Sequence, residues 1–315
     1  MVPWAYHVPG STAVTAHDLA PKPIRTSTVR LRVTQLADGV VRERADVLAV
    51  EEPLEIRLVP PTGGPPRPVA VTMRTPGHDF ELASGFLFTE GVVQGADDIR
   101  AVSYCTEGEQ QYNTVNVFLR PGAAYDPGRL ERNFYASSSC GVCGKASIEA
   151  IHVQGIGPVT GLTPVVDAGV LLRCVDRLRE AQTLFERTGG LHAAGVFDAE
   201  GRLLVIREDV GRHNAVDKAI GHAVLQRQVP LDQHILVVSG RASFEIMQKA
   251  AVAGIPIVAA VSAPSSLACA VAEAFGLTLV GFVRGTRLTV YAGGHRLRLA
   301  DGRQDGAGGG PGEVP

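Results

Sequence analysis

The chain has 315 residues, of which 45% are hydrophobic and 20% are charged, and its formal net charge is −2. This balance is typical of a globular protein with a sizeable core, and it does not favour nucleic acid or an anionic membrane as a partner. The longest apolar run, 250–263, is interrupted by Gly254 and Pro256 and is too short to span a bilayer. No targeting pattern is visible near the start of the chain, so we expect a cytoplasmic protein.

The first part of the chain is predicted to be a small β-rich domain. After a flexible leader at residues 1–25, the segments TVRLRVT, LEIRLV and TVNVFLR alternate between apolar and polar residues, which predicts strands. Residues 78–88 carry the apolar spacing of one helix, and the segment PPTGGPPRP predicts a loop. We therefore assign residues 26–135 to a β-rich N-terminal domain with one or two helices.

The sharpest local signal is the cysteine pair Cys140 and Cys143 in the segment SSSCGVCGK, within a predicted loop and linker at residues 136–165. A thiolate is the reactive form of cysteine, and inward-facing glycine N–H groups or a nearby cation such as Lys145 favour it. Three interpretations stay open: half of a zinc site, a dithiol oxidoreductase, and a thiol that carries a group between partners. The carrier interpretation is favoured, because a second cysteine pair and a strand-to-helix context for the pair are both missing from the sequence.

The other three cysteines are predicted to be inert. The odd total of five favours a reducing compartment over a disulfide scaffold. Cys174 lies in an amphipathic helical pattern and Cys269 in an alanine-rich one, so both are expected to be buried, and Cys105 is expected to be unreactive.

From residue 166 onward, strand and helix patterns alternate. One helix is predicted over residues 168–188, with Gly189 and Gly190 as candidates for its C-terminal cap. Near-continuous apolar strands separated by helices then predict a sheet covered on both faces. The prediction is an α/β protein (α+β overall), with a three-layer α/β domain at residues 166–294 and a disordered glycine-rich tail at residues 295–315.

Four turns that follow the apolar strands of this domain are polar and rich in small residues. Ligands of open α/β sheets bind beyond the carboxyl ends of strands, and helix N-termini and arginines both favour phosphate. A large anionic ligand is therefore predicted at this edge from the four turns together, whereas for Asp209, Ser243 or Ser265 taken singly a helix cap is the favoured interpretation. His213 and Asp217 are candidate bases or binding groups, and His192 is either a site residue or a core residue. The candidate binding residues in the first three turns are Gly211, Arg212, His213, Ser239, Gly240, Arg241 and Ser265.

Several long segments carry a resemblance to a known family. SSSCGVCGK, TGGLHAAGVF, REDVGRHNAVDK, SGRASFEIMQKAA and GFVRGTRLTVYAG resemble the FdhD family of formate dehydrogenase accessory sulfurtransferases. The resemblance extends from about residue 26 to residue 294. It implies a homodimer whose C-terminal domain has a cytidine deaminase-like fold.

The resemblance also implies a function and its residues. Members accept sulfur from a cysteine desulfurase of the IscS type and pass it to the bis(molybdopterin guanine dinucleotide) cofactor before the cofactor enters the formate dehydrogenase catalytic subunit. The persulfide carrier corresponds to Cys140, with Cys143 assisting, and no catalytic metal of the protein's own is implied. The guanine dinucleotide, which GDP would mimic, is expected at Phe282, Val283, Arg284, Gly285, Thr286 and Arg287.

Two alternatives to a sulfurtransferase follow from the same residues. One is a cofactor-binding chaperone whose cysteines only contact the ligand. The other is a zinc-dependent deaminase, which is disfavoured because His192-Ala193-Ala194 lacks the glutamate of the H-x-E motif. The cysteine pair also precedes this segment, whereas the deaminase pair follows it.

Overall fold

A computed structural model describes residues 26–106, 112–123, 156–159 and 161–298 of the chain. Its first elements, β1 (Thr28–Ala37) and β2 (Val40–Ala49), form a two-stranded antiparallel ribbon. Asp38 and Gly39 connect them with φ values of 52° and 76°, which fits a tight hairpin turn with positive φ at both central residues. The strand predicted from TVRLRVT is confirmed, whereas its partner β2 is not indicated by the sequence pattern.

A four-stranded sheet follows, with strand order β4-β3-β6-β5. β3 and β6 are parallel at its centre, and both outer pairs are antiparallel. Leu54, Ile56 and Leu58 are fully buried, which is the alternation expected of a strand with one face on the core. The strands are β3 (Glu52–Val59), β4 (Arg67–Arg74), β5 (Ile99–Tyr104) and β6 (Thr114–Leu119).

A six-stranded sheet with order β13-β12-β11-β10-β8-β9 forms the second half of the fold. β10, β11 and β12 are parallel to one another, and β8 is antiparallel to both β10 and β9. β9 therefore runs in the same direction as β10, β11 and β12, so that four strands end at one edge of the sheet. The strands are β8 (His192–Phe197), β9 (Leu203–Asp209), β10 (Ile235–Val238), β11 (Ile257–Ala260), β12 (Thr278–Arg284) and β13 (Arg287–Ala292), and a short pair outside this sheet is β7 (Val166–Asp167) and β14 (Leu297–Arg298).

Helices cover both faces of the six-stranded sheet. Leu171 and Cys174 pack from one helix against Phe197 and Ile257 on one face. On the other face, three helices share a core with a helix of the N-terminal half and with the four-stranded sheet. The predicted three-layer α/β fold is confirmed, while the assignment of residues 26–135 and 166–294 to separate domains stays a prediction. The helices are α1 (Asp79–Thr89), α2 (Ala168–Ala181), α3 (Thr183–Thr188), α4 (Arg212–Leu225), α5 (Phe244–Val252) and α6 (Ser266–Ala274).

Helices α1 and α4 touch backbone to backbone where Gly85 faces Gly221. A Cβ atom on Gly85 would lie 1.9 Å from the carbonyl oxygen of Asp217, and one on Gly221 would lie 1.8 Å from the carbonyl oxygen of Glu81. Both distances are far below any real contact, so only glycine permits this approach. The crossing joins the N-terminal sheet to the layer of helices that leads to the candidate site.

The single helix predicted over residues 168–188 is wrong, because the chain forms two helices there. Gln182 leaves the helical conformation with ψ of 70°, and the N–H groups of Leu184 and Phe185 donate to the carboxylate of Glu208 on β9. These N–H groups are therefore used outside the helix, which restarts as α3. Gly189 ends α3 in the left-handed conformation, as predicted for one of the two candidate caps.

Two boundaries in the structure also differ from those predicted from the sequence. Helix α4 begins at Arg212, so Arg212, His213 and Asn214 lie in its first turn, whereas the sequence pattern places them in the preceding loop. Residues 295–298, predicted to belong to a disordered tail, are ordered. The buried guanidinium of Arg296 donates to the carbonyl oxygens of Gly276 and Gly161, and β14 pairs with β7.

Within the described part of the chain, no helix is both long and apolar enough to cross a membrane.

Candidate functional site

Four turns meet at the edge where β9, β10, β11 and β12 end. Ser243 Oγ, after β10, lies 3.2 Å from Nε2 of His213, after β9. The N–H of Ser265, after β11, donates to the carbonyl of Ala242 at 3.0 Å, and the N–H of Phe282 donates to the carbonyl of Ser262 at 3.2 Å. These contacts join the turn after β9 to the turn after β10, that turn to the one after β11, and the turn after β11 to the end of β12. We call this surface the four-turn edge, comprising residues 209–213, 239–243, 261–265 and 282–287.

Three helices begin at the four-turn edge and direct their N-termini toward it. α4 starts at Arg212, α5 at Phe244 and α6 at Ser266. The first N–H groups of a helix lack partners within the helix and favour an anion in front of them. The sequence prediction that these turns share one edge is therefore confirmed, whereas ligand binding there stays a prediction.

The capping interpretation holds for one of the three residues considered. Ser265 caps α6, because its hydroxyl accepts from the N–H of Ala268 at 3.2 Å. Ser243 precedes α5, but its side chain accepts no hydrogen bond from that helix. Asp209 is fully buried and pairs with Nζ of Lys218 at 2.6 Å. Capping is thus wrong for Ser243 and Asp209, and the hydroxyl of Ser243 is available to His213.

The arginines of the four-turn edge are available to an anionic ligand. Arg241, Arg284 and Arg287 are exposed. None of the three forms an ion pair with another residue of the described ranges. Arg212 is half-buried, and its Nε lies below the surface without a hydrogen-bond partner in the part of the chain that the structure describes. A buried guanidinium donor without a partner is costly, so this residue fits a ligand oxygen well.

Phe282 is the main apolar group of the edge. Its side chain is 50% exposed and its φ is 51°, a left-handed conformation that is unfavourable for a bulky residue. The pairing of β12 with β13 shifts register between Gly281 and Arg284, which accommodates this strained residue. An exposed aromatic ring held in a strained backbone is typical of a functional position.

The remaining predicted binding residues differ in whether their side chains are exposed at the edge. Gly285 and Thr286 are exposed at the tip of the hairpin between β12 and β13, beside the arginines. Val283 is fully buried in the core, so its side chain cannot reach a ligand at the edge. The hydroxyl of Ser239 accepts from the N–H of Ala193 at 2.8 Å, which ties the turn to β8.

Two glycines allow close packing at the edge. A Cβ atom on Gly240 would lie 3.3 Å from Nδ1 of His192, and one on Gly211 would lie 3.0 Å from Nδ2 of Asn214. His192 is half-buried, and burial first, then the charges of Arg212 and His213, lower its pKa. The structure therefore puts His192 at the four-turn edge and favours its neutral form.

A buried ion pair that the sequence pattern does not reveal lies beneath the first turn. Asp209 binds Lys218 and also accepts from the N–H of Gly211 at 2.8 Å and of Thr75 at 3.1 Å. Thr75 follows β4, so this carboxylate links the N-terminal sheet to the turn that carries Arg212. The contact of Asp209 with Thr75 joins residues more than a hundred positions apart, so it cannot be predicted from spacing alone.

Asp217, predicted as a candidate base or binding group, is buried away from the edge. Nζ of Lys249 lies 2.8 Å and 2.9 Å from its two carboxylate oxygens, and the hydroxyl of Thr89 donates to it at 2.8 Å. These three residues belong to α4, α5 and α1. Asp217 therefore joins three helices beneath the surface of the protein.

The cysteine pair lies outside the described residues, so its predicted role stays a prediction. Cys174 is fully buried, and burial raises the pKa of its thiol to about 12, which confirms the inert assignment. Cys269 is half-buried, so the prediction of a buried thiol is only partly correct, and burial also raises its pKa. Cys105 is half-buried as well.

The fold and the edge together define an α/β protein in which three helix N-termini and exposed arginines gather at the carboxyl ends of the strands. A family model for the FdhD/NarQ family matches residues 49–298. The chain therefore belongs to the FdhD/NarQ family, as the sequence motifs indicate.

Individual relatives agree with this membership. The chain is 52% identical over 277 residues to the "Sulfur carrier protein FdhD" of Streptomyces avermitilis, covering 86% of this chain and 96% of the relative. It is 50% identical over 278 residues to the protein of the same name from Mycobacterium tuberculosis, covering 86% and 99%. A crystal structure from Desulfotalea psychrophila, described as a candidate formate dehydrogenase accessory protein, superposes with a TM-score of 0.67 at 25% identity, covering 87% of this chain and 100% of that one.

Proposed function

We propose that this protein is a sulfurtransferase that serves a formate dehydrogenase. It accepts sulfur as a persulfide on Cys140 from a cysteine desulfurase of the IscS type. It then passes the sulfur to bis(molybdopterin guanine dinucleotide), which binds as a substrate at the four-turn edge before the cofactor is inserted into the catalytic subunit. Family membership and the names of the relatives support the sulfur chemistry.

The observation that carries the binding half of the proposal is the convergence of four turns on one sheet edge. This edge gathers three helix N-termini with exposed Arg241, Arg284 and Arg287, and a substrate with pyrophosphate groups needs such donors. The exposed ring of Phe282 suits stacking on a purine base, which contributes about 1–3 kcal/mol per base in proteins that bind nucleotides. The guanine end of the substrate is assigned to residues 282–287 on this basis.

Cys140 performs the sulfur transfer in this proposal. Its thiolate attacks the terminal sulfur of the desulfurase persulfide, so that the desulfurase thiolate leaves and Cys140 carries the new persulfide. Cys143 then attacks Sγ of Cys140, the two cysteines form a disulfide, and the terminal sulfur leaves as hydrosulfide for delivery. The two electrons that reduce this sulfur come from the two thiols, so a cellular dithiol must restore the pair for the next cycle.

One experiment with two variants tests both the sulfur-carrier role of Cys140 and the binding of the guanine nucleotide at the four-turn edge. Wild-type protein incubated with cysteine desulfurase and cysteine should gain the mass of one sulfur atom, and Cys140→Ala should not gain it while still binding GDP. The double variant Arg284→Ala/Arg287→Ala should gain the sulfur but bind GDP at least about 10-fold more weakly, because two charge-assisted contacts are lost. Mass spectrometry and calorimetry give the two readouts.

The same experiment separates the sulfurtransferase from a cofactor-binding chaperone. A chaperone would bind GDP through the same arginines but would acquire no persulfide. Sulfur on Cys140→Ala, or no sulfur on the wild type, would refute the carrier assignment. Unchanged GDP affinity in the double arginine variant would refute the assignment of the guanine site.

A further inference from the structure

Three polar side chains at the four-turn edge form a continuous hydrogen-bonded row. Ser243 Oγ lies 3.2 Å from Nε2 of His213, and Nδ1 of the same imidazole lies 2.6 Å from Oε2 of Glu245. Each ring nitrogen therefore has its own partner. A hydroxyl, an imidazole and a carboxylate in this order can move a proton, as nucleophile–base–carboxylate sites do.

The fold holds this row on two helix starts. His213 is the second residue of α4, Ser243 directly precedes α5, and Glu245 lies in the first turn of α5. The hydroxyl of Ser243 makes no capping bond and is therefore left for the imidazole. The side chains of His213 and Glu245 are 30% and 44% exposed, so the row opens toward the edge rather than into the core.

The groups around this row favour the ionised form of Glu245. The hydrogen bond from His213, which outweighs the effect of burial, lowers the pKa of the Glu245 carboxyl. Lys249 on α5 and Arg212 on α4 act on Glu245 in the same direction. The other charged groups that act on this row are His192, whose pKa is lowered, and Asp217, one turn along α4. The edge thus combines His192, whose pKa is lowered, with His213, which is hydrogen-bonded to a carboxylate.

We propose that His213 is the general acid of the sulfur-delivery step and that Glu245 is its positioning residue. This inference rests on the proposed function and assigns a proton-transfer role that the sulfur chemistry needs. Glu245 fixes Nδ1 and thereby the orientation of the ring. The opposite nitrogen, Nε2, donates the proton directly or through the hydroxyl of Ser243.

The replacement of oxygen by sulfur on the substrate needs this proton for its atoms and charges to balance. Hydrosulfide released from the Cys140–Cys143 pair replaces an oxygen ligand on the metal of the substrate. It becomes sulfide and gives up one proton, while the departing oxide needs two protons to leave as water. His213 supplies the second proton, becomes neutral, and is reprotonated from solvent, and no electrons are exchanged in this replacement.

The test is the rate at which persulfide-loaded protein activates a cofactor-free formate dehydrogenase in the presence of the cofactor, between pH 6 and 9. We expect His213→Gln to be about 100-fold slower, as for the loss of a general acid. Sulfur loading on Cys140 should stay within about twofold of wild type, because the loading step does not use a proton from His213. GDP affinity is measured in parallel, so that a slower rate caused only by weaker binding is recognised. The rate of the wild type should fall as pH rises, because a general acid acts only in its protonated form.

Glu245 variants give an independent readout. Glu245→Gln removes the charge that stabilises the imidazolium, so the pH at which the rate falls should move downward, and Glu245→Asp should restore part of the shift. Glu180→Gln, an exposed carboxylate on α2 on the opposite face of the sheet, is the matched control and should leave the profile unchanged. This comparison remains available if His213→Gln does not fold.

The outcomes separate this inference from the function on which it rests. A His213→Gln rate within about threefold of wild type, or a loss explained entirely by weaker GDP binding, would overturn the general-acid assignment. A pH profile that Glu245→Gln does not move would overturn the positioning role. Failure of the wild type to load sulfur would instead refute the proposed function itself.

Discussion

Single charged residues in this protein are placed by partners far away in the chain. Glu81 on α1 accepts from Arg207 on β9 at 2.6 Å and lies 3.0 Å from Nδ1 of His222 on α4 and 3.2 Å from Nδ1 of His78. Burial opposes its ionisation, but the hydrogen bonds from these three residues together outweigh burial and hold the pKa of Glu81 well below its usual range. The charge of Glu81 is therefore tied to the folded state.

This network predicts a specific pH dependence of stability. Because the pKa of Glu81 is lower in the folded state, its contribution is present above its unfolded pKa of about 4.3 and is lost as pH falls toward the folded value. Glu81→Gln should lower the free energy of unfolding at pH 7 by about 1–3 kcal/mol. Between pH 5 and pH 3, urea unfolding should show the wild type losing more stability than the variant.

Glu180→Gln serves as the surface control, and its curve should follow that of the wild type. Parallel pH curves for Glu81→Gln and wild type would show that Glu81 titrates alike in the folded and unfolded states, which would contradict the prediction.

Sequence patterns place some site residues and miss their partners. Arg212, His213 and Arg241 are placed at the edge because each follows an apolar strand, and the carboxyl ends of such strands share an edge. The contact of His213 with Glu245 could not be predicted, because it depends on how α4 and α5 sit side by side. Val283 shows the converse, since its position beside exposed residues in sequence says nothing of the face to which it points.

At the scale of elements, burial decides what the sequence reveals. The strands β8, β10, β11 and β12 are buried on both faces and are predicted correctly from continuous apolar runs. The strands β2 and β13 are missed. All of their residues are exposed or half-buried, so neither strand contains the continuous apolar run that marks a buried strand. The break at Gln182 is also invisible, because it depends on Glu208 of another element.

The α1–α4 crossing gives a prediction at this scale. Gly85→Ala should lower the free energy of unfolding by about 3 kcal/mol or more, because the added methyl group must push two helix backbones apart. Alanine normally favours a helix over glycine by about 1 kcal/mol, so the expected sign is reversed here. Chemical denaturation of the variant measures the loss.

Gly169→Ala is the matched control for the crossing. Gly169 also lies in a helix, but a Cβ atom there would meet only the flexible end of Arg173, at 3.4 Å. This variant should be neutral or more stable than wild type. Equal effects of the two substitutions would show that backbone contact at Gly85 does not limit the crossing.

At the scale of the whole molecule, the two sheets share one core. Leu54 and Ile56 of the four-stranded sheet belong to the same buried cluster as Ala194 and Leu236 of the six-stranded sheet. The sequence indicates two regions with different patterns of strands and helices. The packing of α1 against α4 and the contact of Asp209 with Thr75 show that these regions are joined. We therefore expect both sheets to unfold in one transition.

The buried amine of Lys249 tests this coupling, because it contacts Asp217 on α4 and Thr89 on α1. Lys249→Met leaves the carboxylate of Asp217 buried without its cation, which should cost about 3–5 kcal/mol. The double variant Asp217→Leu/Lys249→Met removes both charges and should be more stable than the single variant. Native-state hydrogen exchange should show the same loss for amides of β3 as for amides of β10. If only β10 loses protection, the two sheets unfold separately and the shared core does not couple them.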